Sequence, residues 1–154
     1  MLFLPNREPF ATGVMDYAFR PTDSGENNLR IILRISVENI PALAVLDTGG
    51  PYLIIAPDVA NRLGFDPEAS LKKTEIKIRG VAYTGNLHRV DITLTASEGE
   101  GIQFQATAFV PNTDQEEKWG NLPTFLGIEN CLERIRFALD PNPDAPKFYF
   151  GTLP

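Results

Sequence analysis

An all-β domain is the fold class this sequence predicts, and three features predict it. Thirteen prolines and twelve glycines punctuate the chain, which favours short elements and frequent turns. β-Branched and aromatic residues fill the stretches between them, as strands require. Several of those stretches alternate apolar with polar residues, the period-two mark of strands with one buried face. With 154 residues, 43% of them hydrophobic and 22% charged, the chain can bury a core of its own and has an ordinary globular composition.

Taken in order, residues 1–28 read as a turn-rich N-terminal segment and residues 29–154 as a single domain. Phe10 to Phe19 is expected to hold one strand, and Pro21 to Asn28 a polar loop. Leu29 to Val37 alternates Leu29, Ile31, Leu33, Ile35 and Val37 against other residues and predicts a strand. Glu38-Asn39 turns it into a second strand that ends at Asp47. Beyond Ile55, Pro57 suits the first position of a short helix. Val59, Ala60 and Leu63 share its buried face, and Gly64 stops it.

Residues 74–95 predict a long hairpin. Ile76 and Ile78 lie on one arm, and Leu87, Val90, Ile92 and Leu94 on the other. Its tip is expected at Gly80-Val81-Ala82-Tyr83-Thr84-Gly85, with a glycine at each end. Ser97 to Gly101 is a turn and Ile102 to Val110 a strand. Pro111 to Pro123 is an acidic loop in which Trp119 reads as a lid over the core. Leu132, Ile135 and Arg136 sit at helical spacing and predict one short C-terminal helix over Glu129 to Phe137. Cys131, within it, reads as a small buried hydrophobe. Lys147 to Gly151 is a closing strand.

Charge and composition exclude several classes. The net charge of −6, without a basic cluster, argues against nucleic acid or an anionic membrane as partner. One cysteine permits no intrachain disulfide. His88 is the single histidine; beside Arg89 it reads as solvated, and no cysteine or histidine spacing suggests a metal site, so neither metal nor cofactor is expected. No run reaches membrane-spanning length, and Met1 to Pro5 is too short for a leader's apolar region. The expected location is the cytoplasm.

The chemistry concentrates in Ala42-Leu43-Ala44-Val45-Leu46-Asp47-Thr48-Gly49-Gly50-Pro51-Tyr52-Leu53-Ile54-Ile55. Two apolar runs flank an acid, a hydroxyl and two glycines, which predicts a tight turn sunk in the core. A carboxylate there is either tied to backbone donors or kept for chemistry. Val45-Leu46-Asp47-Thr48-Gly49 resembles the apolar-apolar-Asp-Thr-Gly signature of aspartic proteases. Phe125-Leu126-Gly127 is similar to the apolar-apolar-Gly element that precedes the C-terminal helix in the retroviral-type members. The order and spacing of the two fit a single retropepsin-like domain, and the resemblance covers roughly residues 29–151.

That resemblance implies a retropepsin-like barrel in which Asp47, Thr48 and Gly49 are catalytic and Phe125, Leu126 and Gly127 support them. It implies that the hairpin is a flap, with Gly80, Val81, Ala82, Tyr83, Thr84 and Gly85 closing over substrate beside Ile54. Two-lobed relatives carry two acidic loops in one chain. This chain carries one, so the second carboxylate must come from a homodimer. The two would share a proton and activate a water against a peptide bond. Gly50 stands where Ala or Ser is usual and offers the carboxylate no hydroxyl, which implies activity at mildly acidic rather than strongly acid pH. Pro51 removes one backbone donor.

Two readings of function follow. The first is an aspartic endopeptidase with peptide or protein substrates. The second is an inactive module of the same fold that binds extended peptides or a protein partner. A plain β-domain, with Asp47 only fixing a turn, is the third and weakest.

Overall fold

A computed structural model describes residues 1–22 and 27–154. Strands β1 (Leu2–Phe3), β2 (Pro9–Ala11), β3 (Gly13–Asp16) and β4 (Ala18–Arg20) precede β5 (Arg30–Val37), β6 (Ile40–Leu46) and β7 (Leu53–Ile54). Helix α1 (Pro57–Leu63) leads to β8 (Lys72–Ile78), β9 (Val81–Leu94), β10 (Glu98–Gly99) and β11 (Ile102–Pro111). Helix α2 (Glu116–Trp119), β12 (Thr124–Leu126), β13 (Ile135–Asp140) and β14 (Lys147–Thr152) complete the chain. Of the polar loop expected between Pro21 and Asn28, residues 23–26 lie outside the described residues.

Among the described residues the main sheet runs β4, β5, β6, β12, β7, β11, β9, β8. A further pairing of β5 with β9, at Ser36 with Thr93 and Val37 with Ile92, closes it into a barrel. A second sheet, ordered β10, β3, β14, β13, packs against it through Met15, Phe148 and Phe150. Phe148 and Phe150 are wholly buried, each removing on the order of 2–3 kcal/mol worth of apolar surface from water.

Local chemistry accounts for most element ends. Glu38 and Asn39 take φ of 47° and 68°, the left-handed pair of a two-residue hairpin turn between β5 and β6. Pro57 opens α1, and Gly64 closes it at φ 64° with its N–H donated to Ala60 O. Trp119 is buried as the lid expected of it, its indole N–H donated to Leu122 O at 2.8 Å.

Four expectations need correction. The strand expected over Phe10 to Phe19 is broken into pieces, because the chain changes partners: β3 pairs with β14 and β4 with β5. The C-terminal helix is absent. A single 3-10 turn at Leu132–Arg134 gives way to β13, since Asn130 at φ 51° interrupts helical geometry and β14 offers Ile135 to Asp140 a full antiparallel partner. Apolar residues three apart serve a turn followed by a strand as well as a helix.

The third concerns His88, which is 5% exposed rather than solvated. In β9 the residues Asn86, His88 and Val90 alternate inward while Arg89 points out, and the imidazole stacks on Phe65 at 4.7 Å. Burial lowers its pKa, with Asp66 opposing more weakly. The unfolded chain therefore binds a proton near pH ~6.5 that the folded chain resists, so stability falls as pH drops below that value. Denaturant titrations between pH 7.5 and 5.5 are expected to show a smaller decline for His88→Gln than for wild type.

The fourth is the acidic turn itself, described below. Cys131, by contrast, is fully buried as expected, and burial pushes its thiol up to about 12. Folded protein at pH 8 is expected to resist iodoacetamide, and denatured protein to react readily. Among the described residues, no helix is long and apolar enough to cross a membrane.

Candidate active site

Three strand ends build the site. β12 lies between β6, its parallel neighbour, and β7, its antiparallel one, with Leu126 opposite both Leu46 and Leu53. The chain leaving β6 is caught at once, because Asp47 N–H donates to Leu126 O at 3.0 Å. Gly49 N–H donates to Asp47 Oδ1 at 3.1 Å, and Gly50 N–H to Asp47 O at 3.2 Å. These bonds fold the loop around its own carboxylate.

The far side of the loop is fastened to the chain after β12. Gly127 N–H donates to Tyr52 O and Ile128 N–H to Gly50 O, both at 2.8 Å, and Tyr52 N–H returns a bond to Glu129 O at 3.0 Å. A Cβ on Gly127 would lie 2.4 Å from Tyr52 O and 2.6 Å from the oxygens of Gly50 and Pro51. Only glycine allows that approach. Pro51 lacks a donor, yet the loop's bonds use the N–H groups of Asp47, Gly49, Gly50 and Tyr52, so its proline leaves them intact. Burial, reinforced by the Glu129 charge, raises the Tyr52 pKa and keeps its hydroxyl protonated.

The turn is not sunk in the core. Asp47 is half-buried, Thr48 and Gly49 are exposed, and Leu43 in the preceding strand is 51% exposed. β6 alternates instead of burying both faces, and its end opens at the barrel surface. Gly50 also finds a local reason: a Cβ there would press on Asp47 Oδ2 at 2.9 Å.

Asp47 opens into a cleft of about 480 Å³. Val45, Leu46, Ile54 and Phe125 line it, together with Lys77, Ile78 and Arg79 of the β8–β9 hairpin. Arg30 completes the wall. Asp47 is the one carboxylate among these lining residues. Two larger cavities, about 940 and 780 Å³, lie between α1 and the 116–124 segment and beside His88. Neither touches Asp47, so the chemistry of the smaller cleft outweighs their size.

The hairpin differs in detail from expectation. Arg79 and Gly80 take φ of 51° and 81° and make a two-residue turn, with Ile78 paired to Val81. The tip is therefore Arg79-Gly80, and Ala82, Tyr83, Thr84 and Gly85 run down the β9 arm. Tyr83 is buried edge-on against Trp119 at 5.0 Å, away from the cleft. Gly85 marks close packing rather than a turn: its Cβ would stand 2.3 Å from Val110 O. Ile54 does line the cleft, whereas Arg30, Lys77 and Arg79 were not foreseen. Nothing local announced them, since residues from β5 and the hairpin meet only through the barrel's closure.

No protein-family model and no curated protein sequence matches the chain. Solved structures do. A retropepsin-like aspartic protease from Rickettsia conorii superposes with a TM-score of 0.54 at 18% identity, over 92% of this chain and 94% of that one. EIAV protease complexed with the inhibitor HBY-793 matches at a TM-score of 0.40 and 20% identity, over 64% of this chain and 81% of that one. The chain has a retropepsin-like, all-β fold.

Proposed function

We propose that this retropepsin-fold chain is an aspartic endopeptidase that works as a homodimer. The observation that carries the reading is the Asp47 loop: a half-exposed carboxylate, fixed by backbone bonds, the one carboxylate among the residues lining a cleft that the β8–β9 hairpin also lines. By this route peptide hydrolysis needs two carboxylates at once, one ionised to take a proton from water and one protonated to give one to the carbonyl oxygen. A second Asp47 facing it across a two-fold axis completes the pair. The ionised member takes a proton from water as the oxygen attacks the carbonyl carbon. The protonated member gives its proton to the carbonyl oxygen, and the amine leaves with a proton as the C–N bond breaks.

Each neighbour has a part in this reading. Thr48, exposed at the loop's outer edge, is available to the partner loop, and Gly49 supplies an N–H to the carboxylate. Phe125, Leu126 and Gly127 hold the loop in place. The hairpin, with its tip at Arg79 and Gly80, acts as a flap that excludes water, with Ile54 beneath the substrate.

The test pairs two measurements. Analytical ultracentrifugation is expected to show a dimer, and a random peptide library is expected to be cut by wild type but not by Asp47→Asn. A strict monomer at working concentration that cuts nothing would leave the binding-module reading.

A further inference from the structure

We infer that the 112–119 segment clamps the β9 arm of the hairpin and so positions the hairpin beside Asp47. The inference rests on the flap reading above and deepens it by naming the residues that hold the flap. Gln115 and Lys118 are its chief positioning residues.

β9 pairs with β11 from Leu94 opposite Ile102 to Gly85 opposite Pro111, and there β11 ends. Pro111 has no N–H with which to carry the ladder further. The hairpin continues past that point, because Val81 to Thr84 still pair with β8. On their other edge no strand follows among the described residues. A two-stranded ribbon by itself is marginal in water, and its edge groups need partners. The chain after Pro111 supplies them. Asn112 N–H donates to Thr84 O at 3.0 Å, and Thr84 N–H donates to Gln115 Oε1 at 3.2 Å. Lys118 Nζ donates to Ala82 O.

The same segment grips the side chains of the arm. Asn112 Nδ2 donates to Thr84 Oγ1 at 3.3 Å, and Asn86 Nδ2 donates to Asn112 Oδ1 at 3.2 Å. The Tyr83 hydroxyl donates to Lys118 O at 3.4 Å, and Lys118 Nζ lies 5.1 Å from the centre of the Tyr83 ring. Lys118 therefore meets the arm through both its ammonium and its carbonyl. On the opposite arm Lys77, Ile78 and Arg79 line the cleft of Asp47. How firmly the 112–119 segment holds β9 thus sets where those residues meet a substrate.

Amide hydrogen exchange, read residue by residue by NMR, tests the clamp without any substrate. In Gln115→Ala/Lys118→Ala the amides of Val81 to Thr84 are expected to exchange about tenfold faster than in wild type, while those of β11 keep their protection. With a peptide that wild type cuts, KM is expected to rise about fivefold and kcat to change by less than about twofold, because a looser hairpin weakens binding first. Lys118→Arg keeps a donor and a charge beside Tyr83 and is expected to match wild type in both measurements. Lys118→Met serves if circular dichroism shows the double variant unfolded.

Faster exchange confined to Thr84, whose N–H loses its acceptor outright, overturns the inference. An unchanged KM in a variant whose hairpin has loosened overturns it as well. Should wild type cut no peptide while the hairpin still loosens in the variant, the hydrolase reading fails and the clamp stands.

Discussion

Replacing Asp47 by Asn is expected to lower peptide cleavage by about a thousandfold or more, the scale of a lost acid–base group, while leaving the fold untouched. The two halves of that expectation have separate causes. Asn is isosteric, and its Oδ1 can accept the same Gly49 N–H that Asp47 Oδ1 accepts at 3.1 Å. The side chain is half-buried at the mouth of a cleft, so little packing changes. Its effect on stability should stay within about 0.5 kcal/mol, as for most surface substitutions. Parallel thermal melts and cleavage assays check both, and a variant that still cuts would move the chemistry to other residues.

Gly127→Ala is expected to do the opposite, costing the fold about 3 kcal/mol or more, as overpacking of a closed site does. The new methyl would sit within 2.6 Å of three backbone oxygens, those of Tyr52, Gly50 and Pro51. Two of these cannot retreat cheaply, because Tyr52 O accepts Gly127 N–H and Gly50 O accepts Ile128 N–H. For a domain of this size that cost lowers the melting midpoint by about 6–12 °C. Gly64→Ala supplies the comparison: nothing lies within 4 Å of its Cβ, so only its positive φ is penalised, by about 1–2 kcal/mol. Equal midpoints for the two variants would mean that Gly127 is not the fastening point of the loop.

What could be read from residues alone divides along the range of the interactions. β5 and β11 were legible because their apolar residues alternate, and β6 as an apolar run whose exposed face was missed, with the turn between β5 and β6 carrying a local signal at Glu38-Asn39. Helix α1 was legible between Pro57 and Gly64 for the same reason. Asp47 and Phe125 to Gly127 were legible as short motifs, and the pairing of β6, β12 and β7 brings them together. The misreadings arose where distant partners decide. Ile135 to Asp140 becomes a strand only because β14 is there to pair with it. Gly85 looked like a turn residue because its real constraint, Val110 O, is remote in sequence. The cations of the cleft belong to this group as well. His88 is the exception: it falls on the buried face of β9 with Val90, Ile92 and Leu94, a period-two signal overlooked beside Arg89, and Phe65 covers it.

Subunit mixing tests the pairing of two Asp47 loops most directly. With equal amounts of wild type and Asp47→Asn allowed to exchange, random pairing puts about half of the wild-type subunits into mixed, inactive dimers. Activity per wild-type subunit should then fall to about one half, and to about one tenth with ninefold excess variant. Activity per wild-type subunit that stays constant across the series would show that one loop suffices, and the shared-carboxylate mechanism would be wrong.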